Sequence, residues 1–189
     1  MFPKDIVNYI ELEDKFYEYM VQIEKRFPEG SDGFLTYLRD KTGFFDLPAS
    51  TKYHCNYKHG LLEHSLNVTK TLLDLNYFIL NKKYLINTCI IVALFHDLGK
   101  AGIDNQYPYI YMIDEQKWTS NKDIPYVDHD TLGLVILSKF IDLSLEEIQA
   151  IRYHNGQYTG DKAVAMKEKD LTLILHWADM ISAKHERII

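Results

Sequence analysis

From residue 5 to residue 27 the apolar positions Ile6, Ile10, Phe16, Tyr17, Met20, Ile23 and Phe27 follow one another at mixed three- and four-residue steps. That spacing predicts an amphipathic helix, ended by Phe27-Pro28-Glu29-Gly30. Ser31 or Asp32 is placed to cap a short second helix through Phe34, Leu35 and Leu38, stopped near Gly43. Periodicity then fails between Phe44 and His59, a long loop of aromatic, hydroxyl and histidine residues of the kind that is often functional in compact domains. It returns after Gly60, where Leu62, Leu66, Thr69 and Leu73 make one helical stripe and Leu61, Ser65, Val68 and Leu72 its neighbour. Asn81-Lys82-Lys83 turns the chain into its most apolar stretch.

That stretch, Leu85 to Phe95, lacks the alternation of a half-buried strand and is long for a buried one, so it reads as a core helix. It runs straight into His96-Asp97-Leu98-Gly99-Lys100, where Gly99 suits a helix C-cap. His96 and Asp97 then leave the core together at a helix end. An imidazole and a carboxylate buried unpaired are costly, and a divalent metal is one compensation. From residue 101 to residue 127 helical character is lost. Tyr107-Pro108-Tyr109-Ile110-Tyr111-Met112 and Trp118 predict a small hairpin or flap, either lining a substrate pocket or, the favoured reading, forming a satellite core.

Helices resume at Asp128-His129-Asp130, with His129 at the N-terminal end. Ser144-Leu145-Glu146-Glu147 is a capping box opening a helix that ends at His154 before Asn155-Gly156. A last helix spans Leu171 to Arg187 and holds Asp179 among apolar neighbours, where an unpaired carboxylate is poorly tolerated. The fold class is therefore all-α: one domain over residues 1–189, a helical bundle with an aromatic flap, and residues 1–43 as scaffold.

Composition sharpens this outline. At 189 residues with 47% hydrophobic and 25% charged positions, the chain can bury a substantial core. A net charge of −6 argues against a broad nucleic-acid-binding surface, though a bound metal can still supply local positive charge to a nucleotide. The two cysteines, Cys55 and Cys89, form no metal-type pair and suit a reducing, cytoplasmic setting. No signal-peptide pattern or membrane-spanning apolar run is present.

The eight histidines change the picture most. His64, His129 and His154 lie at or near helix ends, as does the His96-Asp97 pair, and imidazole with carboxylate is a common metal-binding set on helices. In order and context, Gly60-Leu61-Leu62-Glu63-His64-Ser65-Leu66, then Leu94-Phe95-His96-Asp97-Leu98-Gly99-Lys100, then Trp177-Ala178-Asp179 resemble the histidine–aspartate (HD) superfamily of metal-dependent phosphohydrolases. The resemblance covers residues 53–184. It implies an HD-type helical bundle in which His64, His96, Asp97 and Asp179 hold one metal. His129 and His154 look like the extra histidines of two-metal members, with Asp97 bridging. Lys100 matches the lysine of the HD-x-x-K subclass, which faces substrate phosphate. His59 departs from the pattern, standing where many relatives have glycine.

The reaction this implies is hydrolysis of a phosphoester in a nucleotide, cyclic nucleotide or short oligonucleotide. One or two divalent transition-metal ions would serve it, with iron, manganese or zinc ahead of magnesium or nickel. Asp97, Lys100 and His54 are the catalytic candidates, His54 for leaving-group protonation. Lys100, Arg152, Tyr57 and His59 are the substrate-binding candidates. His176 reads as core and His185 as surface. The rival readings are an HD-type di-iron oxygenase, a nucleotide-binding domain without turnover, and a helical domain whose histidines are structural.

Overall fold

The computed structural model describes residues 9–158, 164 and 166–186. Seven α-helices and one two-stranded hairpin occur among these residues: α1 (Tyr9–Ile23), α2 (Asp32–Lys41), α3 (Gly60–Phe78), α4 (Ile86–Leu94), β1 (Tyr109–Met112), β2 (Lys117–Ser120), α5 (His129–Leu137), α6 (Leu145–Tyr153) and α7 (Asp170–Glu186). The expected helix start at residue 5, with Ile6, and the helix end at Arg187 lie outside the described residues.

Helix α4 is the hub, because beyond its exposed first turn its residues Cys89 to Leu94 are all buried and no side of that stretch faces water. It packs against α1, α3, α6 and α7. A helix apolar on every side has to be enclosed by others, which is why the most apolar segment lies at the centre. Both stripes of α3 are consumed in the same way, with Leu61, Leu62, Ser65, Leu66, Val68, Thr69 and Leu72 buried. The N-terminal scaffold contributes aromatic rings. Phe34 of α2 meets Phe95 edge-on at 5.1 Å, and Phe44 lies 6.0 Å from Phe95. The residue just before His96 is thereby wedged by elements far upstream.

Three expectations need correction. Helix α1 gives way to a 3-10 turn, Glu24–Arg26, before Phe27 is reached, and Ile10 is exposed, so the buried face is Phe16, Tyr19, Met20 and Ile23. Gly99 is not the cap of α4. That helix closes at Phe95, and Gly99 sits inside a following 3-10 turn, Leu98–Ala101, which Gly102 caps at φ +79°. Gly99 has another reason to be glycine: a Cβ there would stand 2.1 Å from the carbonyl oxygen of His129. The hairpin is no satellite core, since none of its strand residues is buried. It is held by its antiparallel register and by the Tyr111–Trp118 cross-strand pair, ring centroids 5.3 Å apart.

Two of the later helices are capped at their N-termini, the second by the predicted capping box. Asp128 accepts from the Thr131 N–H at the start of α5, and Ser144 and Glu147 form the reciprocal capping box of α6. No described helix is long and apolar enough to cross a membrane.

Candidate metal centre

Five elements deliver six side chains to one place. His64 comes from the second turn of α3, His96 and Asp97 from the break between α4 and its 3-10 turn, and His129 from the first position of α5. His154 caps the C-terminus of α6, and Asp179 lies in the middle of α7. The groups His64–His96–Asp97, His96–His154–Asp179 and Asp97–His129–His154 each offer one ligand atom per residue within 4.8 Å of the others.

Asp97 organises the geometry by splitting its two oxygens. Oδ2 lies 3.4 Å from His96 Nε2 and 3.7 Å from His64 Nε2, whereas Oδ1 lies 3.3 Å from His129 Nε2 and 3.5 Å from His154 Nε2. Asp179 Oδ1 adds to the first side, 3.1 Å from His64 Nε2 and 4.0 Å from His96 Nε2. Two ligands about 2.1 Å from one ion stand about 3.0 Å apart at right angles and about 3.4 Å apart at the tetrahedral angle. The spacings on both sides of Asp97 fall around these values.

The donor set fits metal in a second respect. Nε2 of His64, His96 and His129, together with Asp97 Oδ1, are buried and have no hydrogen-bond partner. Burying such atoms unsatisfied is expensive, and four of them facing one another is the arrangement a cation would relieve. The opposite ring nitrogens are occupied. His96 Nδ1–H donates to the Ala93 carbonyl at 2.7 Å, His154 Nδ1–H to that of Ile151 at 2.8 Å, and His64 Nδ1–H to Glu186 Oε2 at 3.1 Å. A carbonyl can only accept, so in the neutral rings of His96 and His154 Nε2 carries the lone pair, as a metal ligand requires.

The electrostatics tell the same story. Burial alone would lower the His64 pKa, but the carboxylates of Asp179 and Glu186 at its two ring nitrogens outweigh it and push the ring up to about 10. Two carboxylates therefore demand a cation between them, and a proton meets that demand when nothing else does. Burial works against ionisation of Asp97, yet the Lys100 ammonium and then His96 hold its carboxyl well below the usual carboxylate range. Lys100 Nζ stands 2.6 Å from Asp97 Oδ2, and that contact keeps the lysine charged although its burial opposes charge.

The HD domain family model matches residues 61–184, about two thirds of the chain. The chain belongs to the HD domain family. The match ends where the motif reading ends, at residue 184, and begins at Leu61 instead of Tyr53. Among curated proteins the chain is similar to the dihydroneopterin 2',3'-cyclic phosphate phosphodiesterase of Methanocaldococcus jannaschii. They are 29% identical over 146 residues, which is 74% of this chain and 52% of that protein. The chain spans about half the length of that relative. No solved structure matches it.

Around this HD centre the remaining candidates scatter. Of the four substrate-binding candidates, Lys100 touches a proposed ligand, Asp97. The His59 ring stacks on Tyr9 at 4.2 Å and bonds the Phe45 carbonyl at 2.5 Å, bracing the loop ahead of α3 at φ +69°. Tyr57 donates to Glu63 at 2.7 Å and lines a surface depression with Asn67, Lys70 and Glu186. Arg152 lies 3.2 Å from Asp130 and 3.4 Å from Asp128, tying the starts of α5 and α6's last turn together. His54 does lie against the centre, its ring 4.5 Å from that of His64, with both nitrogens buried and unpartnered. Burial, then the positive charge of His64 and Lys100, pushes its pKa down to about 4. At neutral pH the ring is uncharged and its remaining N–H is a very weak acid, which counts against the acid role.

Three residues outside the quoted motifs support the proposed ligands. Glu186 follows Asp179 by seven residues, two helical turns on the same face, and that periodicity was a usable signal. Asp130 Oδ1 lies 2.9 Å from His129 Nε2 without forming a hydrogen bond, and both its oxygens accept from Asn155 at 3.1 Å. His176, expected to be simple core, donates from Nδ1 to the carbonyl of His154 at 2.7 Å and so steadies a ligand-bearing turn. His185 is exposed, as expected.

Proposed function

We propose that this chain is a metal-dependent phosphohydrolase that cleaves a phosphoester in a nucleotide, cyclic nucleotide or short oligonucleotide. The observation that carries this reading is the division of Asp97, one oxygen toward His64 and His96 and the other toward His129 and His154. His64, His96, Asp97 and Asp179 would hold one divalent ion, and Asp97, His129 and His154 a second. Iron, manganese or zinc suits this imidazole and carboxylate set better than magnesium. Such ions, when bound, make hydroxide available near neutral pH and neutralise charge on phosphoryl oxygens.

The protein's own residues set direction and access. His64, His96, Asp97 and His154 are sealed, at 2% side-chain exposure or less, while Lys100, Asp179 and His129 reach 16%, 20% and 30%. A phosphate group thus approaches along the edge formed by those three, where the Lys100 ammonium meets its non-bridging oxygens. Tyr109 on β1 is close enough to Lys100 to feel its charge, which puts the flap beside that edge. The name of the archaeal relative favours a cyclic phosphodiester within the wider substrate class. Residues 53–184 form the catalytic core in this reading, with residues 1–43 as scaffold within one domain. Two free, buried thiols, Cys55 and Cys89, suit a reducing cytoplasmic setting.

The test is metal analysis of protein purified without added metal, joined to a panel of nucleoside 2',3'- and 3',5'-cyclic phosphates, dinucleotides and phosphomonoesters. One or two transition-metal ions per chain and hydrolysis of at least one class are expected. Metal-loaded protein that consumes dioxygen and leaves every phosphoester intact would establish the oxygenase chemistry instead. Metal-loaded protein that binds nucleotides without turnover would make it a binding domain.

A further inference from the structure

We infer that Glu186 is a positioning residue for the metal centre, which gives the His64 Nδ1–H a carboxylate hydrogen-bond acceptor where His96 and His154 have backbone carbonyls. This rests on the two-ion reading of the site but not on the reaction it performs. Glu186 and Asp179 lie two turns apart on α7 and grip the same imidazole from opposite edges. Asp179 Oδ1 is 3.1 Å from Nε2, and Glu186 Oε2 and Oε1 are 3.1 and 3.4 Å from Nδ1. Glu186 is itself fixed: Asn67, one turn beyond His64 on α3, donates to its Oε1 at 2.9 Å, and its side chain is only 7% exposed. A surface glutamate at a helix end would be neither buried nor held in this way.

The contrast with the other rings gives Glu186 its significance. His96 and His154 rest their Nδ1–H groups on backbone carbonyls, which are neutral acceptors, and the carboxylate nearest His154 Nδ1, Asp130 Oδ1 at 3.6 Å, stands beyond hydrogen-bond distance. A carboxylate in that position fixes the ring and its tautomer as a carbonyl does, and in addition strengthens the imidazole as a donor through its negative charge. His64 is therefore the best-supported nitrogen on the Asp179 side. The ion on that side loses affinity when Glu186 loses its charge, while the ion between His129 and His154 does not.

The experiment measures zinc affinity of the wild-type protein, Glu186→Gln and Glu186→Ala by chelator competition, with zinc per chain by elemental analysis. Glu186→Gln keeps an acceptor oxygen and removes the charge, so it separates charge from shape. Expected is a loss of about 10-fold for one of the two ions in Glu186→Gln and about 100-fold in Glu186→Ala, with the other ion within about twofold of wild type. A general structural role would weaken both ions together or neither, and either result overturns the inference. Should a variant not fold, zinc-loaded wild-type protein labelled with ¹⁵N-histidine decides the matter by NMR. His64 is expected to keep an exchange-protected, downfield Nδ1 proton, and a His64 ring without it overturns the inference. A wild-type protein that takes up no zinc overturns the metal reading itself, and Glu186 with it. Normal uptake that is unchanged in Glu186→Gln and Glu186→Ala overturns only the role of Glu186.

Discussion

The two sides of Asp97 are built differently. On one side His64 and His96 are fully buried, each distal nitrogen is held by Glu186 or by the Ala93 carbonyl, and Asp179 supplies a second carboxylate. On the other side His154 is buried and braced by Ile151 and His176, but His129 is 30% exposed and its Nε2 lies against Asp130. The first half is preorganised on the inner helices. The second closes through the first residue of α5, at the open edge. An ion on the inner side would be held by rigid groups, whereas one on the outer side would be the freer to exchange.

The largest expected effect joins both halves. Asp97→Asn replaces one oxygen by an amide nitrogen that is no ligand, and it should weaken both ions by more than the roughly 100-fold that lost supporting residues cost. Elemental analysis after dialysis should find almost no metal, and full retention of either ion would show that Asp97 does not serve both sides.

Next comes a direct contest between the halves. His64→Ala leaves the buried carboxylates of Asp179 and Glu186 without the cation they surround, so the metal-free protein should lose about 3–5 kcal/mol in denaturant unfolding. His129→Ala removes a partly exposed ring and should cost under about 1 kcal/mol while lowering stoichiometry from two ions toward one. Equal destabilisation by the two substitutions would erase the distinction between a preorganised and an adjustable half.

Lys100→Ala probes the edge between them. Turnover of a hydrolysable phosphoester at saturating metal should fall about 10²-fold, with metal content unchanged, because a protonated lysine is not a ligand. Wild-type rates would remove its phosphate-facing role without touching the metal site.

The smallest effect concerns the foundation of the outer half. Arg26 reaches both oxygens of Glu147, at 2.9 and 3.0 Å, at the start of the helix that ends in His154. Burial opposes ionisation of Glu147, but the Arg26 hydrogen bonds and the Ser144 N–H hold its pKa below the ordinary glutamate range. A depressed folded-state pKa contributes stability above the unfolded value, about 4.3, and loses it as pH falls through the folded value. Glu147→Gln should therefore cost about 2 kcal/mol at pH 7, less than a fully buried pair because Arg26 is 24% exposed. The penalty should shrink toward pH 3 in thermal melts of the metal-free protein; a penalty independent of pH would exclude the ion pair as its source.

How far these features were legible in the chain differs from residue to residue. The apolar run before His96 and the capping box at Ser144 are local signals, and both are found as expected. His59 was misleading because its place beside Gly60 suggested substrate contact, while its partners, Phe45 and Tyr9, come from distant segments. Arg152 likewise looked available for phosphate until Asp128 and Asp130 came within reach of it. Gly99 fits the general rule for a helix cap, and only the approach of the His129 backbone reveals its actual constraint.

The sequence by itself determined which residues are chemically able to bind metal and which helices carry them, since periodicity, caps and the His96-Asp97 step are properties of neighbouring residues. Only the tertiary structure decided which face of each ring looks inward, which carboxylate stands behind it, and how Asp97 divides its oxygens. Those facts depend on contacts between residues such as His64 and Glu186, 122 positions apart. Such contacts are set by helices packing around α4, and no local pattern along the chain encodes them.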